Sequence, residues 1–334
     1  MEKYHGLADQ ITGRCPFDER VPATSDWGML ERSWAFLRAY LLAPLLITVR
    51  APLTVQVLFL WYLSAVIVRM RCINTYFARL LLILNGFYRV PAFKSTKTNR
   101  AQQVFAEKYS LLFGNLTTPT DLLIYIYHLS PTYVHVPWYT SEDRGGLTHR
   151  IETPVKAFIL LCIYDQRCRN VKEPPNVSSI DFSSAATIDS FKRILSRLEK
   201  LGEDASVLFF PECSPTNGRV VLKPALNLQL FNESRLSNKK AACVSVSNTW
   251  KYRSVIHPFP DIISSILDLG EPIRRSKLYV IPLATTTPLT DDRLMEGISL
   301  VSNAPCGGTT ALNRMLFFKK VTEHKQKVAA IHSE

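Results

Sequence analysis

Between Ala51 and Val68 the chain runs eighteen residues without a charge and with a single glutamine. Just before it, Trp34 to Val49 is apolar except for Arg38 and Thr48. Such a stretch constrains the fold strongly, because about 20 apolar residues suffice to cross a bilayer. Each half is at the short edge of that length, and Pro44, Arg50 and Pro52 interrupt the run. Two full spans would bury Arg50 in hydrocarbon or force it to snorkel. The segment is therefore expected to fold as a helical hairpin over 34–70 that dips into one leaflet. Trp34, Tyr40, Trp61 and Tyr62 would sit near the interface. The competing reading is a pair of buried core helices in a soluble protein. Deleting 34–70 is expected to leave a more soluble but poorly active domain.

Cations follow the apolar run: Arg69, Arg71, Arg79, Arg89, Lys94, Lys97 and Arg100. Residues 71–90 read as a further amphipathic helix leaning on the membrane. The whole chain of 334 residues carries 40 Lys+Arg against 28 Asp+Glu, a net charge of +12. That surplus favours anionic partners, and positive charge beside an apolar segment marks the side that meets acidic lipid. Zinc-finger spacings, RNP-like aromatic strands and long basic runs are absent, so lipid is expected as the partner and nucleic acid is not. The chain divides into an irregular polar start (1–33), a membrane-associated part (34–100), an α/β domain (101–300) and a basic tail (301–334).

Within the α/β part, Val207-Leu208-Phe209-Phe210 runs into Pro211-Glu212-Cys213-Ser214-Pro215-Thr216-Asn217-Gly218-Arg219, and then into Val220-Val221-Leu222. The apolar run fits a buried strand, and the Pro and Gly residues mark turns. On pattern alone this is a strand–turn–strand hairpin. A carboxylate at the end of a buried strand is costly unless something uses it or pairs with it. Upstream, the apolar Tyr109 to Gly114 leads into Asn115-Leu116-Thr117-Thr118-Pro119-Thr120-Asp121. Pro119 and Thr120 suit a helix start, and an acid at position 121 would steady the first turn.

These two blocks resemble the motifs of the glycerolipid acyltransferases, the lysophosphatidic acid acyltransferase superfamily. Phe210, Pro211 and Glu212 match the F-P-E-G-T-R-S block. Cys213 and Ser214 replace Gly and Thr, and Pro215 stands where the family has its phosphate-binding Arg. Asn115 and Asp121 keep the spacing of N-H-x-x-x-x-D, but Leu116 occupies the place of the catalytic His. The opening Met1-Glu2-Lys3-Tyr4 resembles a fungal branch of the family. The resemblance covers about residues 105–300, with weaker matches at 254–258 and 277–292.

It implies a mixed central sheet flanked by helices and transfer of an acyl chain from acyl-CoA, as co-substrate, to lysophosphatidic acid. No resident cofactor is implied. Asn115, Asp121 and Glu212 would serve catalysis. Arg219, Gly218, Pro211 and Arg167 would hold substrate, with Arg219 the nearest cation to the missing Arg. The same resemblance implies the endoplasmic reticulum or a lipid droplet, with the domain facing the cytosol. Without the His, another base would stand in (His128, His135, His149 or His257), or positioning and the substrate's own phosphate would carry the reaction. The rivals are a non-catalytic lipid-binding or sorting module and a membrane-tethered scaffold.

The seven cysteines (Cys15, Cys72, Cys162, Cys168, Cys213, Cys243, Cys306) form no C-x-x-C pair. Their odd number and scatter argue against a disulfide framework or a structural zinc site. Cys213 has no histidine near it in sequence, which speaks against a nucleophile.

Overall fold

In the computed structural model the described residues are 28–67, 70–94, 102–103, 109–139, 147–169, 185–200, 205–214, 216, 218, 220–234, 236, 239–249, 269–283 and 288–309. The expected block at 254–258 and the expected tail helix at 317–334 lie outside them.

Eight strands form one mixed sheet. They are β1 (Ala92–Lys94), β2 (Gln102–Gln103), β3 (Leu111–Gly114), β4 (Tyr133–Tyr139), β5 (Leu147–Glu152), β6 (Val207–Phe209), β7 (Ala241–Thr249) and β8 (Arg275–Leu283). Their order is β2-β1-β8-β7-β3-β6-β4-β5. The inner four, β7, β3, β6 and β4, are mutually parallel. β8 runs antiparallel to β7, and β5 antiparallel to β4. The expected α/β class with a mixed sheet and flanking helices is what the chain forms.

All four residues of β3 are buried, as suits an inner parallel strand covered on both faces. Alternation then sorts the side chains into two layers. Leu112, Leu208, Val244 and Val280 face one layer, shared with α1 (Met29–Ile67), α2 (Arg71–Leu84), α3 (Pro119–Leu129) and α4 (Pro154–Arg169). Leu111, Phe113, Val207, Phe209 and Cys243 face the other, under α5 (Ala185–Glu199), α6 (Leu228–Glu233) and α7 (Asp291–Ser302).

The hairpin expected over 34–70 is instead one helix of 39 residues, long and apolar enough to cross a membrane. Only 6% of its most apolar window is buried, so it is not the covered core pair of the competing reading. The proline signals act differently from expectation. Pro44 has no N–H to give to the turn before it, and a π turn forms there at Arg38–Leu42. Pro52 is accommodated inside the helix. The reversal comes after Ile67, and the second arm is α2: Trp61 Nε1 donates to Asn74 Oδ1 at 2.8 Å, and the rings of Trp61 and Phe77 stack at 6.5 Å. α2 spends part of its apolar face on the core, where Ala78, Leu81 and Leu82 are buried, and leaves Tyr76 exposed.

Arg50 turns into the protein. It is 7% exposed and donates to Leu269 O (2.8 Å), Glu271 O (2.6 Å) and Tyr88 Oη (3.0 Å). Arg38, also 7% exposed, forms an ion pair with Glu271. A regular helix would set residues twelve apart about 120° from each other. The wider π turn between Arg38 and Arg50 reduces that angle, so both side chains reach the loop before β8. Gly86 lets this loop approach: its φ is +84°, and a Cβ there would lie 2.8 Å from Glu271 O. The opposite side of α1 shows Phe36, Tyr40, Leu41, Leu45, Val55 and Phe59 to the outside.

Candidate active site

The two blocks singled out in the sequence meet at the carboxyl ends of neighbouring parallel strands. β3 ends at Gly114 and leads into the Asn115 turn; β6 ends at Phe209 and leads into the Glu212 turn. Their register is Leu111 opposite Val207 through Phe113 opposite Phe209. Ligands of open α/β sheets bind at such carboxyl ends. Thr216 N donates to Leu116 O at 3.0 Å, which stitches one turn to the other. Gly218, at φ +68°, lies over Thr117: a Cβ there would come within 3.2 Å of Thr117 Cγ2. Asn115, Pro211, Glu212 and Gly218 therefore lie on two turns that the structure brings together.

The hairpin expected across Glu212 does not form. β6 pairs with β3 and β4 on its two edges and has no edge free for Val220-Val221-Leu222. Val221 instead bridges to Cys306 in parallel. Leu222 still returns to the turn, because its N–H donates to Glu212 Oε1 at 2.8 Å. Pro211 O accepts from Ala225 N at 2.7 Å, which holds the same return.

Asp121 is consumed by its own turn. Oδ2 accepts from Thr117 N (2.8 Å), Thr117 Oγ1 (2.5 Å) and Thr118 N (3.0 Å). Oδ1 accepts from Thr118 Oγ1 (3.2 Å) and Asn248 Nδ2 (2.8 Å). Thr118 and Asp121 form a reciprocal capping box at the start of α3. A carboxylate offers about four lone-pair sites, so five donors leave none for an imidazole. Burial raises the Asp121 pKa, and the hydrogen bonds from Thr117, Asn248 and Thr118 oppose that rise. The role of orienting a base at position 116 is thus closed to Asp121. Leu116 itself is 3% exposed and belongs to the core.

Asn115 O accepts from Tyr125 Oη at 2.8 Å, and its Oδ1 does so at 3.3 Å. Burial pushes the Tyr125 hydroxyl well above its ordinary range, and the charges of Asp121 and Glu212 add to the push. Glu212 is 2% exposed, and its Oε2 has no hydrogen-bond partner among the described residues. Burial raises its pKa to about 8, against the lowering hydrogen bond from Leu222. Its carboxyl is therefore mostly neutral at pH 7.

The stand-in bases are placed elsewhere. His128 Nε2 is 2.8 Å from Val90 O, and burial lowers its pKa. His135 and His149 are buried in the opposite layer of the sheet, against Phe209 and Phe191. His257 and Arg219 lie outside the described residues. Arg167 lies near the end of α4, and its side chain is likewise outside the described part. Two surface clefts, one along α5 beside Lys192 and Arg193 and one between α6 and α7, touch neither Asp121 nor Glu212.

One constellation escaped the sequence reading. His135, His149 and Cys213 converge in the layer under α5, α6 and α7, although Cys213 has no histidine near it in the chain. The available signal was alternation: an antiparallel pairing of 133–139 with 147–152 puts both histidines on one face. No protein-family model, curated protein or solved structure matches this chain.

Proposed function

We propose that the protein is a monotopic membrane acyltransferase that moves a fatty acyl chain from acyl-CoA to lysophosphatidic acid or a related lysophospholipid. Its place would be the endoplasmic reticulum or a lipid droplet, with the sheet on the cytosolic side. One observation supports this above the others: the Asn115 and Glu212 turns lie 97 positions apart (212 − 115) yet are joined by the Thr216–Leu116 hydrogen bond. In the reaction the acceptor hydroxyl attacks the thioester carbonyl. The new C–O bond forms, the C–S bond breaks, and the hydroxyl proton ends on the coenzyme A thiolate. With Leu116 apolar and Asp121 spent on its cap, the lysolipid phosphate carries that proton, and the enzyme contributes positioning.

The same two facts favour a second reading, a lipid-binding module that has given up catalysis. Purified full-length protein in phospholipid vesicles, supplied with acyl-CoA and lysophosphatidic acid, separates them. The enzyme reading expects transfer by the wild type and a loss on the order of 10²-fold or more in Glu212→Ala. Arg219→Ala is expected to raise the Michaelis constant for the lysolipid roughly tenfold to hundredfold, as loss of a charge-assisted contact would. No transfer across several acyl-CoA donors and lysophospholipids, with lysolipid binding intact, would leave the binding module standing. Neither transfer nor binding would leave the scaffold.

Attachment has its own test. Surface charge is screened beyond about 10 Å at roughly 0.1 M salt, so salt strips a merely electrostatic binder. The exposed apolar side of α1 predicts that high salt and alkaline carbonate leave the protein in the membrane pellet and that detergent releases it. Release of most of it by carbonate alone would refute the embedded helix.

A further inference from the structure

Three metal-ligating side chains meet in the layer of the sheet away from Asp121. His135 on β4 and His149 on β5 are diagonal neighbours, since His135 pairs with Ile151 and Pro137 with His149. β6 borders β4 on its other edge, and the turn that follows carries Cys213. One ring nitrogen of each histidine and the Cys213 Sγ all lie within 4.8 Å of one another. The residues are 0%, 5% and 0% exposed.

Core packing does not account for the cluster. His135 Nε2 and His149 Nδ1 are 2.9 Å apart, so one proton lies between them. Whichever ring carries it, His135 Nδ1 is buried with no hydrogen-bond partner among the described residues. An orphaned buried polar atom costs about 1–3 kcal/mol. The walls are aromatic, with Phe209 at 5.5 Å from the His135 ring and Phe191 at 5.2 Å from that of His149, and two phenylalanines would fill such a space without that cost. Cys213 stands at φ +50°, a backbone region that non-glycine residues rarely adopt.

We propose that His135, His149 and Cys213 form a binding site for a zinc ion. Two imidazoles and a thiolate are a borderline-soft donor set suited to zinc. Zinc bonds of about 2.0–2.1 Å to nitrogen and about 2.3 Å to sulfur set tetrahedral donors roughly 3.3–3.6 Å apart. The pair of ring nitrogens therefore opens by a few tenths of an ångström as the ion enters. Burial already keeps both rings neutral: it holds His135 well below its usual range and His149 down at about 4. Burial, with Glu212 adding, pushes the Cys213 thiol up, so the metal-free side chain is protonated. Binding breaks the S–H bond, forms the S–Zn bond and releases that proton to solvent. The ion with one thiolate keeps a single positive charge. Such an ion would tie the edge strand β5 to the turn that carries Glu212.

The test reads metal and does not depend on acyl transfer. Full-length protein purified in detergent without chelators is expected to hold about one zinc per chain by elemental mass spectrometry. Cys213→Ser and His149→Gln are expected to lose it, and Cys306→Ser to keep it. Cobalt exchanged into the wild type is expected to give a thiolate-to-metal charge-transfer band, which needs no variant to fold. A wild type that carries no zinc and gives no such band with Co²⁺ overturns the site, as does zinc retained in full by Cys213→Ser. A metal-free wild type that carries an acyl group on Cys213 after incubation with acyl-CoA would also overturn it, and would make the cluster a nucleophile with its bases.

Discussion

Glu271→Ala is expected to destabilise the folded protein by about 3–5 kcal/mol, the usual result of removing one partner from a buried ion pair. The change takes the Glu271 carboxylate away from the Arg38 guanidinium, which is 7% exposed. It also loosens the loop whose carbonyls at Leu269 and Glu271 receive Arg50. At about 2–4 °C per kcal/mol for a domain of this size, the midpoint of thermal unfolding in detergent should fall by roughly 6–20 °C. Glu271→Gln keeps an acceptor and should fall less. A Glu271→Ala protein within about 0.5 kcal/mol of the wild type, the range of ordinary surface changes, would mean that the helix is not fastened at this point.

Asp121→Ala is the second large effect. Alanine removes the acceptor of five hydrogen bonds, two of them from the backbone of Thr117 and Thr118. Loss of a cap costs about 0.5–2 kcal/mol, and each buried donor left unmet adds to it. A total of about 2–4 kcal/mol is expected by denaturant unfolding. Acyl transfer per folded molecule should fall far less than in Glu212→Ala, since the Asp121 oxygens are taken up by Thr117, Thr118 and Asn248. A variant of wild-type stability that has lost its activity would reverse that assignment and make Asp121 a catalytic group.

What could be read in the sequence was local. The buried run at 207–210 and the helix start at Pro119 each sit where neighbouring residues dictate, and each is found. The meeting of the two motif turns was an expectation of the resemblance alone. What stayed hidden was tertiary. Arg50 reads as a charge stranded in an apolar run, because its acceptors stand 219 and 221 positions away. The return of 220–222 reads as a hairpin strand, because nothing local says that both edges of β6 are already taken. α6 was missed because six residues make less than two turns, although Asn227 caps it by accepting from Leu230 N at 3.0 Å. The zinc ligands come from β4, β5 and the Glu212 turn; alternation relates the two histidines, and no sequence spacing ties Cys213 to them.

Trp61 gives the apolar helix a second meaning. It is fully buried, with the Phe158 ring at 6.3 Å, and it shares one core with Val280 of β8. Deleting 34–70 would therefore tear a hole in the α/β core, and the soluble remnant expected from the sequence should not fold. The order of synthesis sharpens this. Val280 is made 219 residues after Trp61 (280 − 61). At about 5–20 residues per second the ribosome needs roughly 10–45 seconds to cover that distance. Throughout that interval the nascent helix has no sheet to cover its tryptophan, and a lipid surface or a chaperone must shelter it. The birth of the domain is thus tied to the place where its first helix comes to rest.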